Sequence, residues 1–167
     1  MGNLDNQYII RRLQEDLQFD VHVIGESFGL LSLGTSKERI IDLLKFLKED
    51  DTLGFSYLTD ITAVHYPGLA LPFCIVYHLH NLVENVRIRV KVFIGGEVPS
   101  IPTATVLWHG ANWMERETYD FFGIDFQGHP DLRRILNMDD LEVFPMRKEY
   151  PLEDPNRVDK KDFYFGR

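Results

Sequence analysis

The sequence predicts an α+β fold: two helices packed on a mostly antiparallel sheet, followed by a helical segment and an extended C-terminal tail. Three observations predict it. Residues 86–94 alternate Val86, Ile88, Val90 and Val92 against Arg87, Arg89 and Lys91, the period of a strand with one apolar face. Two upstream segments carry apolar residues at helical spacing: Leu13 and Leu17 with Ile9 and Ile10, then Ile40, Leu43, Leu44 and Leu47. The connections between the β segments are short, as in hairpins.

In chain order, residues 4–17 read as the first helix. Residues 21–24 read as a short strand, 25–27 as a turn, and 28–33 as a second strand. Thr35 or Ser36 is the expected cap of the second helix, with Glu38 and Arg39 in its first turn and an end near Asp50 and Asp51. Three longer β segments follow at 55–66, 73–80 and 86–94, joined through Pro67-Gly68 and residues 81–85. Pro99 and Pro102 mark a change of character. Residues 103–122 are helix-compatible and aromatic, with a break at Gly110 and a stop at Gly123. A short helix is expected at 131–136. The organisation is therefore an α+β domain over 1–98, a helical segment over 99–136 and a tail over 137–167. Pro145, Pro151 and Pro155 forbid regular structure in that tail, and Phe144, Tyr150, Phe163, Tyr164 and Phe165 suit it to lie across a surface.

Composition narrows the function. The chain of 167 residues has 18 Lys and Arg against 26 Asp and Glu, a net charge of −8. So acidic a chain repels phosphate backbones, which argues against a general nucleic-acid binder. Cys74 is the single cysteine, so an intrachain disulfide and a four-cysteine iron–sulfur site are both excluded. Its place in an apolar strand marks it as a core residue rather than a nucleophile. No basic start and apolar run opens the chain, so a secretory signal is not expected. Dinucleotide and phosphate-loop glycine motifs are missing.

His78 and His80 share one face of a strand, which could begin a zinc site, but no third ligand follows at motif spacing. The densest polar group is Glu115-Arg116-Glu117-Thr118-Tyr119-Asp120. On a helix Arg116 and Asp120 are spaced to pair, and Glu117 with Asp120 could form a carboxylate pair capable of acid–base work if buried. Trp108, Trp113, Met114, Phe121 and Phe122 surround these charges, the composition of an interface core. The residues alone thus describe an α+β domain with an aromatic, charged helix and a docking tail. A free-standing hydrolase or metal enzyme using Glu117, Asp120 and His129 is the competing reading, and a general interaction module is another.

The run Glu115-Arg116-Glu117, Asp120-Phe121-Phe122, His129, Arg133 and Ile135-Leu136, with its fixed gaps, resembles the signature of the C-subunit of proton-translocating NADH-quinone oxidoreductase, the thirty-kilodalton subunit of respiratory complex I. The lead-in through residues 100–113 and the strands at 60–64 and 76–79 are similar to that family too. One departure stands at residues 143–149, where Phe144 replaces the family's His and Glu149 its Asp. The resemblance implies a non-redox structural subunit of the peripheral arm, on the cytoplasmic face of a bacterial or archaeal membrane. No cofactor is expected in this chain; FMN, iron–sulfur clusters and quinone would belong to other subunits. The implied partner is the large hydrogenase-like D-subunit, which shapes the quinone site. The implied contact residues are Glu115, Arg116, Glu117, Asp120, Phe121, Phe122, His129, Arg133, Ile135, Leu136, Arg147 and Lys148. Each stands for an inter-subunit contact or for a helix–loop pair within the chain. The equivalent subunit of an F420H2 or ferredoxin dehydrogenase, or of a membrane-bound hydrogenase, is the alternative assembly.

Overall fold

The computed structural model describes residues 4–16 and 21–150. The chain runs α1 (Asn6–Asp16), β1 (His22–Ser27), β2 (Leu30–Thr35), α2 (Ile40–Glu49), β3 (Tyr57–His65), β4 (Phe73–Asn81), β5 (Val86–Ile94), β6 (Ser100–Pro102), a 3-10 turn (Ala104–Val106), α3 (Ala111–Phe122) and β7 (Asp125–Gln127). Leu17 and residues 151–167, including the aromatics Phe163 to Phe165, lie outside the described residues. Among the described residues no helix is long and apolar enough to cross a membrane.

The main sheet has the order β1-β2-β5-β4-β3. β3, β4 and β5 form an antiparallel meander, and β1 and β2 form a hairpin. The two units join through one parallel pair, β2 with β5. The sheet is therefore mixed, with three of its four pairings antiparallel. Period-two alternation places Ile88, Val90 and Val92 beside Leu31 and Leu33 of β2 and Ile75, Tyr77 and Leu79 of β4, all buried on one face. Ile40, Leu43, Leu44 and Leu47 of α2 pack into the same core and are fully buried, as are Ile9 and, nearly, Leu13 of α1. Each such side chain contributes roughly 1.5–3 kcal/mol by leaving water.

The other sheet face presents Arg87, Arg89, Lys91, His78 and Asp60. β3 lies at one edge of the sheet, and α3 covers it: Thr118 donates its hydroxyl to the Ile61 carbonyl at 3.3 Å.

Four local expectations are corrected. The turn expected at 25–27 lies inside β1, where a register shift between Val23 and Gly25 absorbs the glycine as a bulge. The chain reverses at Phe28-Gly29 instead, both with positive φ (55° and 75°), so the second strand begins at Leu30. Thr35 does not cap α2: it is the last residue of β2, and the helix starts later, behind Arg39, without a side-chain cap. Residues 131–136 form no helix. The backbone N–H groups of Ile135 and Leu136 serve a buried carboxylate, which holds this end of the segment in an irregular loop.

Candidate functional site

The second half of the chain is organised around α3. Its stop is dictated locally. Gly123 takes φ 69°, and its N–H returns to the Tyr119 carbonyl at 2.7 Å. A Cβ at this glycine would collide with the Phe144 ring and the Arg147 guanidinium. Conformation and space both demand glycine here.

From residue 128 onward the chain folds back along α3 as an irregular strap, and buried side chains hold it. Asp120 is the anchor. One carboxylate oxygen accepts from the backbone N–H groups of Ile135, Leu136 and Asn137 at 3.1, 2.8 and 2.9 Å. The other accepts from Arg134 at 2.7 Å. Burial pushes this carboxyl up, but the backbone donors of Asn137 and Leu136, with Arg134, outweigh it and hold Asp120 well below the usual carboxylate range. Arg134 also donates to the carbonyls of Asp120, Leu141 and Val143 and lies 5.1 Å over the Phe144 ring. Arg116 donates to the carbonyls of Arg133 and Arg134 at 3.2 and 2.9 Å, with its guanidinium 5.3 Å over Trp113. Arg147 closes the strap on the Phe122 carbonyl at 2.7 Å and is flanked by the rings of Phe73 and Phe144. The Lys148 N–H donates to His65 Nδ1 at 3.0 Å, and His65 stacks on Phe73.

A second buried carboxyl ties α3 to the segment before it. Glu115 is fully buried and accepts from the Thr103 hydroxyl at 2.5 Å and the Ala104 N–H at 2.6 Å. Burial dominates, pushing its pKa up to about 7 against these two donors. His129 accepts the Asp131 N–H at Nδ1, so its Nε2 carries the proton and donates to the Asn112 carbonyl at 3.2 Å. The same Nε2 lies 4.0 Å from Glu115. The Tyr77 hydroxyl is buried without a hydrogen-bond partner among the described residues. Burial, then the charge of Glu115, push its pKa up.

Several pairings expected from spacing do not form. Arg116 does not pair with Asp120; Arg134 does, because it brings Asp120 a charged donor while three backbone N–H groups fill the other oxygen. Glu117 is exposed, whereas Asp120 is buried and saturated, so they make no carboxylate pair. Asp120 and His129 are engaged with separate partners and Glu117 is exposed, so the three form no catalytic cluster. Arg133 is exposed and pairs with Asp131 at 2.8 Å. Phe122 is buried, Phe121 and Ile135 are half-buried, and Leu136 is exposed. His80 bonds Asn85, and His78 accepts from Arg89. Among the described residues no group of three or more His, Cys, Asp or Glu is placed to hold a metal ion.

Sequence reasoning missed Arg134, Thr103 and His65. Only the neighbouring Arg133-Arg134 pair hinted at the first. The frame they build presents a rim of large apolar side chains: Trp113 is 61% exposed, Leu136 64% and Met138 70%, with Met146 half-exposed beyond them. Of the signature charges on α3 and the strap, Glu117, Arg133 and Lys148 stay exposed, while Glu115, Arg116 and Asp120 are buried.

Comparison with known proteins shows the family. Residues 33–156 match the family model of the respiratory-chain NADH dehydrogenase 30 kDa subunit. The NADH-quinone oxidoreductase C-subunit of Citrifermentans bemidjiense is 42% identical over 153 residues, covering 92% of this chain and 94% of that protein. The C-subunit of Rhizobium leguminosarum bv. trifolii is 48% identical over 124 residues, covering 74% and 62% of the two chains. Among solved structures, a trypsin-resistant fragment (1-134) of Nqo5 superposes with a TM-score of 0.63 at 31% identity, covering 75% of this chain and 98% of the fragment. A chain of the membrane-bound sulfane sulfur reductase, an archaeal respiratory membrane complex, superposes with a TM-score of 0.73 at 27% identity over 87% and 85%.

Proposed function

The chain belongs to the family of the 30 kDa subunit of respiratory-chain NADH dehydrogenase, and on that premise we propose that it is the non-redox structural subunit of the peripheral arm of NADH-quinone oxidoreductase, docked on the large D-subunit that shapes the quinone site. In this role it sits at the cytoplasmic face of the membrane and holds no cofactor. Other subunits carry the FMN and iron–sulfur clusters that pass electrons from NADH to quinone, coupled to proton translocation. This chain contributes rigidity, since a quinone site depends on a supporting shell that does not give.

The observation that carries the proposal is the pairing of a saturated internal frame with an exposed apolar rim. Asp120, Arg134, Arg116 and Arg147 spend their hydrogen bonds inside the chain. What remains outward on α3 and the strap is Trp113, Leu136, Met138 and Met146, the aromatic and Met composition of an interface core. The signature charges Glu115, Arg116 and Asp120 therefore act on the partner by positioning this rim. Glu117, Arg133 and Lys148, which stay exposed, are the charges available for direct contact.

The likeness to the archaeal sulfane sulfur reductase favours a second reading, the equivalent subunit of a sister membrane assembly. Affinity purification of the tagged chain from gently solubilised host membranes, with mass spectrometry of what it retains, separates the two. Flavin- and cluster-bearing partners with NADH-dependent quinone reduction are the expected result. A deazaflavin-linked, ferredoxin-linked or hydrogenase set moves the chain to a sister assembly. A chain recovered alone overturns both.

A further inference from the structure

We propose that the open face of the five-stranded sheet is a second docking surface, and that it takes an acidic, carboxylate-bearing segment of a neighbouring protein chain. The covered face holds the core, and α3 and the strap lie with it. On the opposite face β5 presents Arg87, Arg89 and Lys91 at alternate positions. At about 3.3 Å per residue they form a cationic stripe about 13 Å long.

The stripe is short of partners. Asp60 is the one carboxylate that the described strands place on this face beside it, in direct register with His78 and Arg89 across β3, β4 and β5. Asp60 lies 3.6 Å from His78 Nδ1, while Arg89 Nε donates to His78 Nε2 at 3.1 Å. His78 thus sits neutral between them. Burial, then the charge of Arg89, with Lys91 adding to it, lower its pKa, and Asp60 only partly opposes them. Asp5, where α1 borders the face, accepts the Tyr8 N–H and is committed to starting that helix. Arg87 and Lys91 have no ion-pair partner among the described residues, in a protein whose net charge is −8.

The surroundings select a protein segment over other polyanions. A groove of about 860 Å³ lies at one end of the stripe, lined by Phe28, Asp60, His78, Asn85, Arg87 and Arg89. Phe28 at its mouth is fully exposed and held at φ 55°, a conformation costly for a bulky side chain. Phe93, the next outward residue after Lys91, is exposed at the far end. Arg flanked by exposed aromatics is the composition of a protein interface. Three cations answer a short run of carboxylates, which Arg can grip with two parallel hydrogen bonds. A long nucleic acid or an anionic bilayer would meet the repulsion of the whole acidic chain.

The inference rests on the chain's place in an assembly, and the test is made there. Lysine acetylation by an N-hydroxysuccinimide ester is compared at Lys91 in the isolated full chain and in the intact purified complex. Zero-length carbodiimide coupling then identifies the facing carboxylate. Expected are protection of Lys91 in the complex and an amide link from Lys91 to an Asp or Glu of another subunit. Arg87→Glu with Lys91→Glu should lower recovery of the complex about tenfold, while Lys45→Glu on the outward side of α2 leaves it unchanged. Equal acetylation in both samples overturns the proposal. So does a link from Lys91 to the acidic residues of this chain's own 151–167, or protection that disappears on nuclease treatment or delipidation. If the redox partners are retained but Lys91 stays reactive, the stripe alone fails; a wild-type chain without any partner overturns both readings.

Discussion

Replacing Glu115 by Gln isolates the charge state of a fully buried carboxyl on α3. In the folded chain burial raises its pKa from an ordinary 4.5 to about 7. As pH rises from 4.5 to about 7, the unfolded chain gives up this proton while the folded chain keeps it. The folded state then binds more protons than the unfolded one, so unfolding free energy falls across that window. Stability from this group is fully present below pH 4.5 and lost as pH rises through about 7. At about 1.4 kcal/mol per pH unit, the interval between 4.5 and about 7 amounts to about 3 kcal/mol. Gln fits the same space. Its carbonyl accepts the Ala104 N–H and its amide meets the Thr103 hydroxyl, so near pH 4.5 the two proteins should agree within about 1 kcal/mol. The assay is urea denaturation followed by the fluorescence of Trp108 and Trp113, on both proteins, near pH 4.5 and at about pH 8. The variant should gain about 3 kcal/mol relative to the wild type across that range. Stability curves that stay parallel over the whole range would refute the reasoning, because Glu115 would then ionise alike in folded and unfolded chains.

Asp120→Ala leaves Arg134 buried without its counter-charge and frees three backbone N–H groups, so thermal denaturation should show a loss of about 3–5 kcal/mol. Limited proteolysis should cut the strap between residues 129 and 149 before the sheet. Gly123→Ala should cost at least about 1–2 kcal/mol from backbone conformation alone, and more because Phe144 and Arg147 must move; urea denaturation of the full chain measures it. Phe28→Asn should stabilise the isolated chain by roughly 0.5–1 kcal/mol, because Asn accepts the left-handed conformation of the first residue of this Phe-Gly reversal and Phe28 gives up no packing; a raised midpoint in the same denaturation series checks it.

Much of the fold was legible, for reasons that differ by element. β5 was read with its true bounds because its alternation reports a sheet covered on one face only. The α2 stripe was read residue by residue, since four leucines and isoleucines at helical spacing have no other economical use. The parallel union of β2 with β5 was not legible: a strand's pattern states which side is apolar, never which strand lies beside it. The turn misplaced to 25–27 followed the glycine, where the chain had spent that glycine on a bulge and turned at a phenylalanine instead.

The site divides in the same way. Local spacing located α3 and its stop at Gly123. It failed at Arg116 and Asp120 because spacing shows only that two side chains can meet. Asp120 found better donors 14 to 17 residues away. Such a preference depends on the path of the strap, which carries no periodic signal of its own. Of the residues that the family resemblance named, the buried charges Glu115, Arg116 and Asp120 all bond within the chain, which a signature by itself does not reveal.

The parallel pairing of β2 with β5 also has a consequence in time. β2 ends at Thr35, and the strand it needs, β5, is complete only at Ile94, 59 residues later. At roughly 5–20 residues per second the ribosome takes about 3–12 s to make that stretch. Throughout it the β1–β2 hairpin has left the ribosome's catalytic centre with one edge of β2 unpaired. The meander β3-β4-β5, whose internal pairings all join consecutive strands, can close as soon as it emerges. During synthesis, then, the hairpin is made before the meander yet joins the sheet only after the meander's last strand is complete.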